Sequence, residues 1–404
     1  MRRNAWRVAA RLLAPLAAFA LAACVQQPPG AVEHVVTMTL TPVGFDRLPG
    51  WGAEHPDQAV PAFLAGCAVL ARTPDQTLGG AGEAASRGGT PLQWRQACDA
   101  AQSLPPGEAA ARSFFESYFQ PWAIADNGNA KGLFTGYYEP EVRGARSPGG
   151  SYRTPLLGHP NDMVVVDLGE FVPDLKGRRI TGRLQQGQLV PYWDRAAIET
   201  GALDHQRLGL LWLADPIDAF VLQIQGSGRV LLADGRVARV SYAGQNGRPY
   251  VPIGRVLADR GQIPLDQVSM QSIRAWLVTH SDQATEVMNQ NPSYVFFREL
   301  IGARPQDGPP GSLGAPLTPG RSAAVDRSFI PLGAPVWLDT TDPLTGGPLQ
   351  RLMMAQDIGG AIKGPVRADV FWGWGSEAEE RAGKMRQPGT EYVLLPRAVR
   401  SAAN

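Results

Sequence analysis

The chain has 404 residues, 44% of them hydrophobic and 19% charged, which describes a globular protein large enough for two domains, or one interrupted by an insertion. Four arginines fall within the first 11 residues; without them 34 basic side chains face 37 acidic ones, a net of −3. A slightly acidic chain is poorly suited to gripping nucleic acid through its phosphates.

Residues 1–11 carry Arg2, Arg3, Arg7 and Arg11 and no acid, and an apolar run follows over 12–23. That run is too short to span a bilayer, which takes about 20 residues, and it suits the apolar core of a secretory signal. It ends in Leu21-Ala22-Ala23-Cys24, which resembles the lipobox of bacterial lipoproteins. The resemblance implies a signal peptide over 1–23 and acylation at Cys24. With Val25 rather than an aspartate next, it implies an anchor at the periplasmic face of the outer membrane. The competing reading is an ordinary leader with an incidental cysteine. Residues 24–50 are expected to be a tether.

From 56 to 122 the pattern is helical. Stretches 57–72 and 91–102 have helix spacing, and Phe114, Phe115, Tyr118, Phe119 and Trp122 form one broad apolar stripe, a core signature. Cys67 and Cys98 sit in such stretches; a disulfide suits an exported protein, and two buried free thiols are equally compatible. After Lys131 the character turns to strands: "GLFTGYYEPEV", 164–168, and 220–250, where Asp234-Gly235 marks a hairpin. Ser269 starts a helix and a second ends at Asn291-Pro292. Residues 302–320, rich in glycine and proline, read as a linker or long surface loop. Short strands return in "SAAVDRSFI", "APVWLDT", "RLMMAQD", "ADVFWGW" and "TEYVLLP", with Ser376 and Glu379 forming a capping box. The pattern suggests a β-rich domain interrupted by another.

The stretch "AQDIGGAIKGPVRADVFWG" concentrates the chemistry. It lacks the Gly-Lys-Ser/Thr ending of a Walker loop and the Gly-x-Gly-x-x-Gly of a dinucleotide site. The five histidines are scattered and no Cys-x-x-Cys occurs, so neither a metal nor another cofactor is expected. "IQGSGR" is not a serine nucleophile elbow. Carboxylate chemistry remains. Asp357 ends one apolar strand and Asp369 lies within the next, so two adjacent strands can present both to one groove, with Asp326 as a third candidate. Burial and a like-charged neighbour raise a carboxyl pKa, as a general acid needs at neutral pH. The plainer alternative is that these aspartates cap turns or pair with Arg327, Lys363 and Arg367.

"AVDRSFIPLG", "AQDIGGAIKG" and "ADVFWG" resemble the three-aspartate signature of the membrane-bound lytic murein transglycosylase A family. "LFTGYYEPEV", "FVLQIQGSGRV", "SYAGQNGRPYVPIGRVL" and "NPSYVFFREL" are similar to it in the same order. The resemblance implies a mainly β protein with N-terminal helices: a double-psi β-barrel (51–158 and 303–400) interrupted by a smaller β-barrel domain (159–302), with a glycan groove between them. It implies cleavage of the β-1,4 bond between N-acetylmuramic acid and N-acetylglucosamine without water, leaving 1,6-anhydro ends. Carried over by position, Asp369 matches the catalytic acid, and Asp357 and Asp326 the supporting aspartates. Tyr138, Glu139, Gln225 and Ser227 are the expected groove contacts, joined by Lys363 and Gly360 of the turn. The implied partners are peptidoglycan strands, the outer-membrane lipid anchor and other wall-synthesis or wall-degrading proteins. A muramidase using water and a non-catalytic peptidoglycan-binding lipoprotein are the competing functions.

Overall fold

The computed structural model describes residues 37–71, 88, 90–175, 178–302, 304 and 306–397. The expected signal peptide and Cys24 lie outside the described residues. The tether expected over 24–50 is folded from its first described residues: β1 (Met38–Pro42) pairs antiparallel with β2 (Phe119–Asp126). Between them run α1 (Val60–Leu70), α2 (Pro91–Gln102) and α3 (Glu108–Tyr118). Thr90 and Gln93 close a capping box on α2, and a Cys67–Cys98 disulfide ties α1 to α2. The aromatic stripe does not stay on one helix. Pro121 cannot continue a helix and biases Gln120 towards extended backbone, so α3 stops at Tyr118 and Phe119 opens β2. The rings meet all the same: Phe114, Phe115 and Phe119 lie 5.6, 6.0 and 5.7 Å from Phe63, edge to face.

After β3 (Gly132–Glu139) the chain changes sheet at Pro140, well before the boundary expected at 158/159. The strands that follow are β4 (Glu141–Ala145), β5 (Thr154–Leu157), β6 (Met163–Asp167), β7 (Arg179–Gln185) and β8 (Gln188–Pro191). Then come α4 (Arg195–Glu199), β9 (Gly209–Leu213), α5 (Pro216–Gln225), β10 (Ser227–Leu232) and β11 (Val237–Gln245). The segment ends with α6 (Ile253–Asp259), α7 (Met270–Thr279), α8 (Ser281–Asn289) and β12 (Val295–Glu299). Six of these strands form one sheet in the order β12-β11-β10-β4-β9-β5, and a parallel bridge between Gly158 and Phe297 draws its edges together. Strands β6, β7 and β8 form a separate antiparallel sheet. The β10–β11 hairpin turns through Asp234-Gly235, Gly235 N–H closing a turn onto the Leu232 carbonyl at 2.9 Å and taking the left-handed position at φ +81°. Residues 220–225, however, are helical rather than extended. Asp215 caps Ile217 N–H at 2.8 Å, Pro216 opens α5, and Gly226 ends it in the left-handed region.

The chain then returns as β13 (Ser322–Val325), β14 (Pro335–Thr341), β15 (Pro348–Asp357), β16 (Arg367–Trp374), α9 (Ser376–Lys384) and β17 (Arg386–Pro396). Strands β17-β14-β15-β13-β16-β3 form a ring that β17 closes onto β3: a six-stranded barrel, with β2 and β1 extending from β17. Phe134, Val336, Trp337, Leu352, Met353, Val370 and Leu394 are fully buried; Val336 pairs with Met353 on one face of the sheet and Trp337 with Leu352 on the other, where Trp337 meets Trp51. Helices in the inserted segment and after β16 make the protein mixed α/β, not mainly β with helices at the N-terminus alone. On α9 the expected capping box is absent. Gly375, at φ +83°, is the N-cap and its carbonyl receives Glu379 N–H at 3.0 Å, which places Ser376 inside the helix. Residues 302–320 are not a free spacer either: Gly311, Ala315 and Leu317 are buried, and Leu313 N–H bonds the Gln356 carbonyl at 3.0 Å.

Candidate active site

The site forms where β15, β13, β16 and β3 lie side by side. Asp369 stands opposite Ala324 of β13 and Thr135 of β3. Asp357 and Asp369 were expected on adjacent strands, but β13 runs between β15 and β16. A bulge resolves the geometry. Between Ala323 and Ala324 the pairing skips Gln356, so Asp357 comes opposite Ala324. The displaced Gln356 is buried towards α1, accepting from Ser322 Oγ at 2.6 Å and donating to the Ala62 carbonyl at 2.7 Å. One row therefore reads Asp357, Ala324, Asp369, Thr135, with only a methyl group between the two carboxylates.

Their surroundings differ. Asp357 accepts three hydrogen bonds: from Ser312 N–H at 2.9 Å, Ser312 Oγ at 2.8 Å and Tyr137 Oη at 2.9 Å. Asp369 accepts one side-chain bond, from Thr135 Oγ1 at 2.6 Å. Burial pushes both carboxyls above the usual range. For Asp369 the negative charge of Asp357 adds to the rise, against Thr135 and the Arg367 guanidinium. The Tyr137 phenol is driven well up by burial and then by Asp357, so it acts as a donor. Tyr250, on the connection between β11 and α6, has its phenol raised by the protein packed around it and, against Arg195, by the Asp369 charge, although part of the residue stays open to solvent.

Asp326 follows the plainer reading. Its Oδ1 accepts from Ser328 N–H at 3.0 Å and its Oδ2 from Gly364 N–H at 2.9 Å. It caps its own turn and pins the glycine turn between Asp357 and Asp369; Gly364 itself takes φ +102°.

The expected groove contacts are placed otherwise. Tyr138 is buried against Ala378, Ala382 and Trp372, because alternation along β3 turns it away from the face of Thr135 and Tyr137. Gln225 accepts from Tyr138 N–H at 3.1 Å and so braces β3. Ser227 is buried at the start of β10 opposite Ser241. Glu139 has no exposed surface; it pairs with Arg229 at 2.8 Å and Arg239 at 2.9 Å. Those arginines also donate to the carbonyls of Asp307 and Arg304, each at 3.1 Å. This cluster binds the point where the chain leaves the first barrel to the point where it returns. Lys363 and Gly360 are exposed in the turn, and Gly360 has open space about its Cα.

Thr135, Tyr137, Ser312 and Tyr250 are the contributors that motif reading passed over; Arg367 was expected only as an ion-pair partner of the aspartates. Thr135 and Tyr137 carry a signal, since they alternate on one strand of "GLFTGYYE". Ser312 carries none, lying in an irregular segment. Among the described residues no group of three or more His, Cys, Asp or Glu side chains is arranged to hold a metal ion.

Comparison with known proteins follows the same division. Membrane-bound lytic murein transglycosylase A of Escherichia coli (strain K12) is 36% identical over 280 residues, 67% of either chain. The chain belongs to the MltA family. The MltA specific insert domain matches residues 133–298 and the 3D domain residues 321–395. Thr135 and Tyr137 thus come from the first match, the three aspartates from the second, and Ser312 from between them. A membrane-bound lytic murein transglycosylase from Agrobacterium tumefaciens superposes with a TM-score of 0.77 at 33% identity, covering 89% of this chain and 98% of its own. MltA from Neisseria gonorrhoeae gives 0.71 at 35% identity, covering 91% and 94%. E. coli MltA with bound chitohexaose gives 0.59 at 30% identity, covering 76% and 83%. Among the described residues no helix of this MltA homologue is long and apolar enough to cross a membrane.

Proposed function

We propose that the protein is a lytic transglycosylase that cleaves the MurNAc-β-1,4-GlcNAc bond of peptidoglycan without water, and that Asp369 serves as acid and then base. The supporting observation is the unequal pair in one row. Three donors favour the ionised form of Asp357, whereas Asp369, with one side-chain donor and an anion beside it, is the better proton carrier. Protonated Asp369 donates to the glycosidic oxygen as the bond breaks towards an oxocarbenium-like state. The muramoyl 6-hydroxyl attacks the anomeric carbon, and the Asp369 carboxylate takes its proton, closing the 1,6-anhydro ring. Asp357 supplies the negative charge that raises Asp369 and offsets the positive charge of the transition state. Asp326 orders the turn that joins them. The two carboxylates stand side by side, so a water on the far face of the sugar has no base among them, which disfavours an inverting hydrolysis. Chitohexaose bound to E. coli MltA supports a glycan substrate.

The same reading takes the first barrel as double-psi, with the inserted domain forming the other wall of the glycan groove. It also takes Cys24 as the lipid anchor at the periplasmic face of the outer membrane, and exolytic release from strand ends. The deciding experiment digests isolated sacculi and reads the product ends by mass spectrometry. Anhydro ends, lost in Asp369→Ala, are expected. Reducing ends would identify a muramidase, and no release by the wild type would leave a wall-binding protein.

A further inference from the structure

Arg367 lies two residues before Asp369 on β16. Its Nη1 donates to the carbonyls of Leu133 at 3.2 Å and Ala368 at 2.7 Å, and its Nη2 donates to Thr135 Oγ1 at 2.9 Å. A guanidinium only donates, and a threonine hydroxyl has a single proton. Thr135 must therefore accept from Arg367, and it donates its own proton to Asp369 Oδ1, 2.6 Å away. An oxygen that accepts this short bond is the poorer place for a second proton. We propose that Arg367, acting through Thr135, is a positioning residue that fixes the rotation of the Asp369 carboxyl and assigns its transferable proton to Oδ2. The inference rests on Asp369 being the acid.

The charges around Asp369 give the arrangement its balance. Asp357 from β15 favours the protonated form, while Arg367 on β16 and the Thr135 bond from β3 favour the carboxylate. The phenols of Tyr137 on β3 and Tyr250 in the inserted segment are both held neutral and both feel its charge. Behind Arg367, Glu391 of β17 is buried at 1% exposure, and Arg367 acts on it through backbone and guanidinium. An acid that must give up a proton and then recover one needs both influences, and here they reach it from opposite sides.

The test measures kcat and KM against pH on sacculi-derived glycan strands, with thermal melting to confirm folding. Thr135→Val should lower kcat roughly ten- to hundredfold with KM little changed, and Thr135→Ser should restore most of it. Arg367→Met should move the alkaline limb of kcat to higher pH, because the cation that favours the carboxylate is gone. Arg367→Lys, which keeps the charge but not the fork, should hold the limb and lower kcat. Wild-type kcat and pH profiles in Thr135→Val and in both Arg367 variants, with Asp369→Asn inactive, would overturn the positioning role. An active Asp369→Asn would instead remove the acid itself, and this inference with it.

Discussion

Asp357 and Asp369 come from strands that do not touch, yet both stand opposite the same residue, Ala324. Like charges so placed do not ionise independently. The Asp357 carboxylate helps keep Asp369 protonated. Replacing Asp357 with Asn removes that charge, so Asp369 should release its proton more readily. The alkaline limb of sacculus clearance should move to lower pH, as a series of buffered turbidity assays would read. A shift to higher pH would contradict the coupling.

Ala324 is nearly fully buried and separates the carboxylates by one methyl group. Ala324→Leu should cost about 1–3 kcal/mol through overpacking, seen as a lower melting temperature. By driving the pair apart it should also lower kcat roughly a hundredfold. Full activity in a destabilised protein would show that the spacing is not critical.

Glu391 offers a prediction on stability. Burial pushes its carboxyl from 4.5 up to about 8. Between those values the folded protein holds a proton that the unfolded chain has lost, so stability falls as pH rises from 4.5 towards 8. Glu391→Gln should be close to neutral below that window and stabilising above it, on the order of a few kcal/mol. Urea unfolding on both sides of the window measures the difference. An unchanged pH dependence in the variant would assign it to other groups.

The Cys67–Cys98 bridge joins positions 31 residues apart. Closing a loop of that size contributes about 3–4 kcal/mol on the chain-entropy account. The Cys67→Ala, Cys98→Ala double variant should therefore unfold at clearly lower denaturant concentration. It should keep its turnover while folded, since the groups bonded to Asp357 and Asp369 come from Ser312, Tyr137 and Thr135 and not from α1 or α2. Loss of turnover without loss of stability would reverse that assignment.

The strands were legible where a local rule governs them: the hairpin at Asp234-Gly235, the Ser269 cap, and the apolar strands ending at Asp357 and holding Asp369. Errors arose where a distant partner or a single punctuating residue decides. Pro121 ends an aromatic helix that continued by periodicity, and Asp215 with Pro216 turns an apolar run into α5. At the site, alternation along β3 already separates Tyr137 from Tyr138, yet which face meets the carboxylates depends on β16 lying alongside. The β13–β15 bulge had no sequence signature, and it alone puts Asp357 in the row. Glu139 looked like a sugar ligand beside tyrosines, but two arginines nearly a hundred residues away neutralise it.

That last cluster bears on how the protein would behave under load. A glycan strand in a stretched wall pulls on whatever holds it. Outgoing and returning segments meet at Glu139, Arg229, Arg239 and the carbonyls of Arg304 and Asp307. Twisting the inserted segment about its attachment would require breaking several charge-assisted bonds together, in a place with almost no water to replace them. The attachment is therefore a stiff joint, and under the proposed function tension on a glycan held by both domains would be delivered to the scissile bond instead of being lost in domain motion.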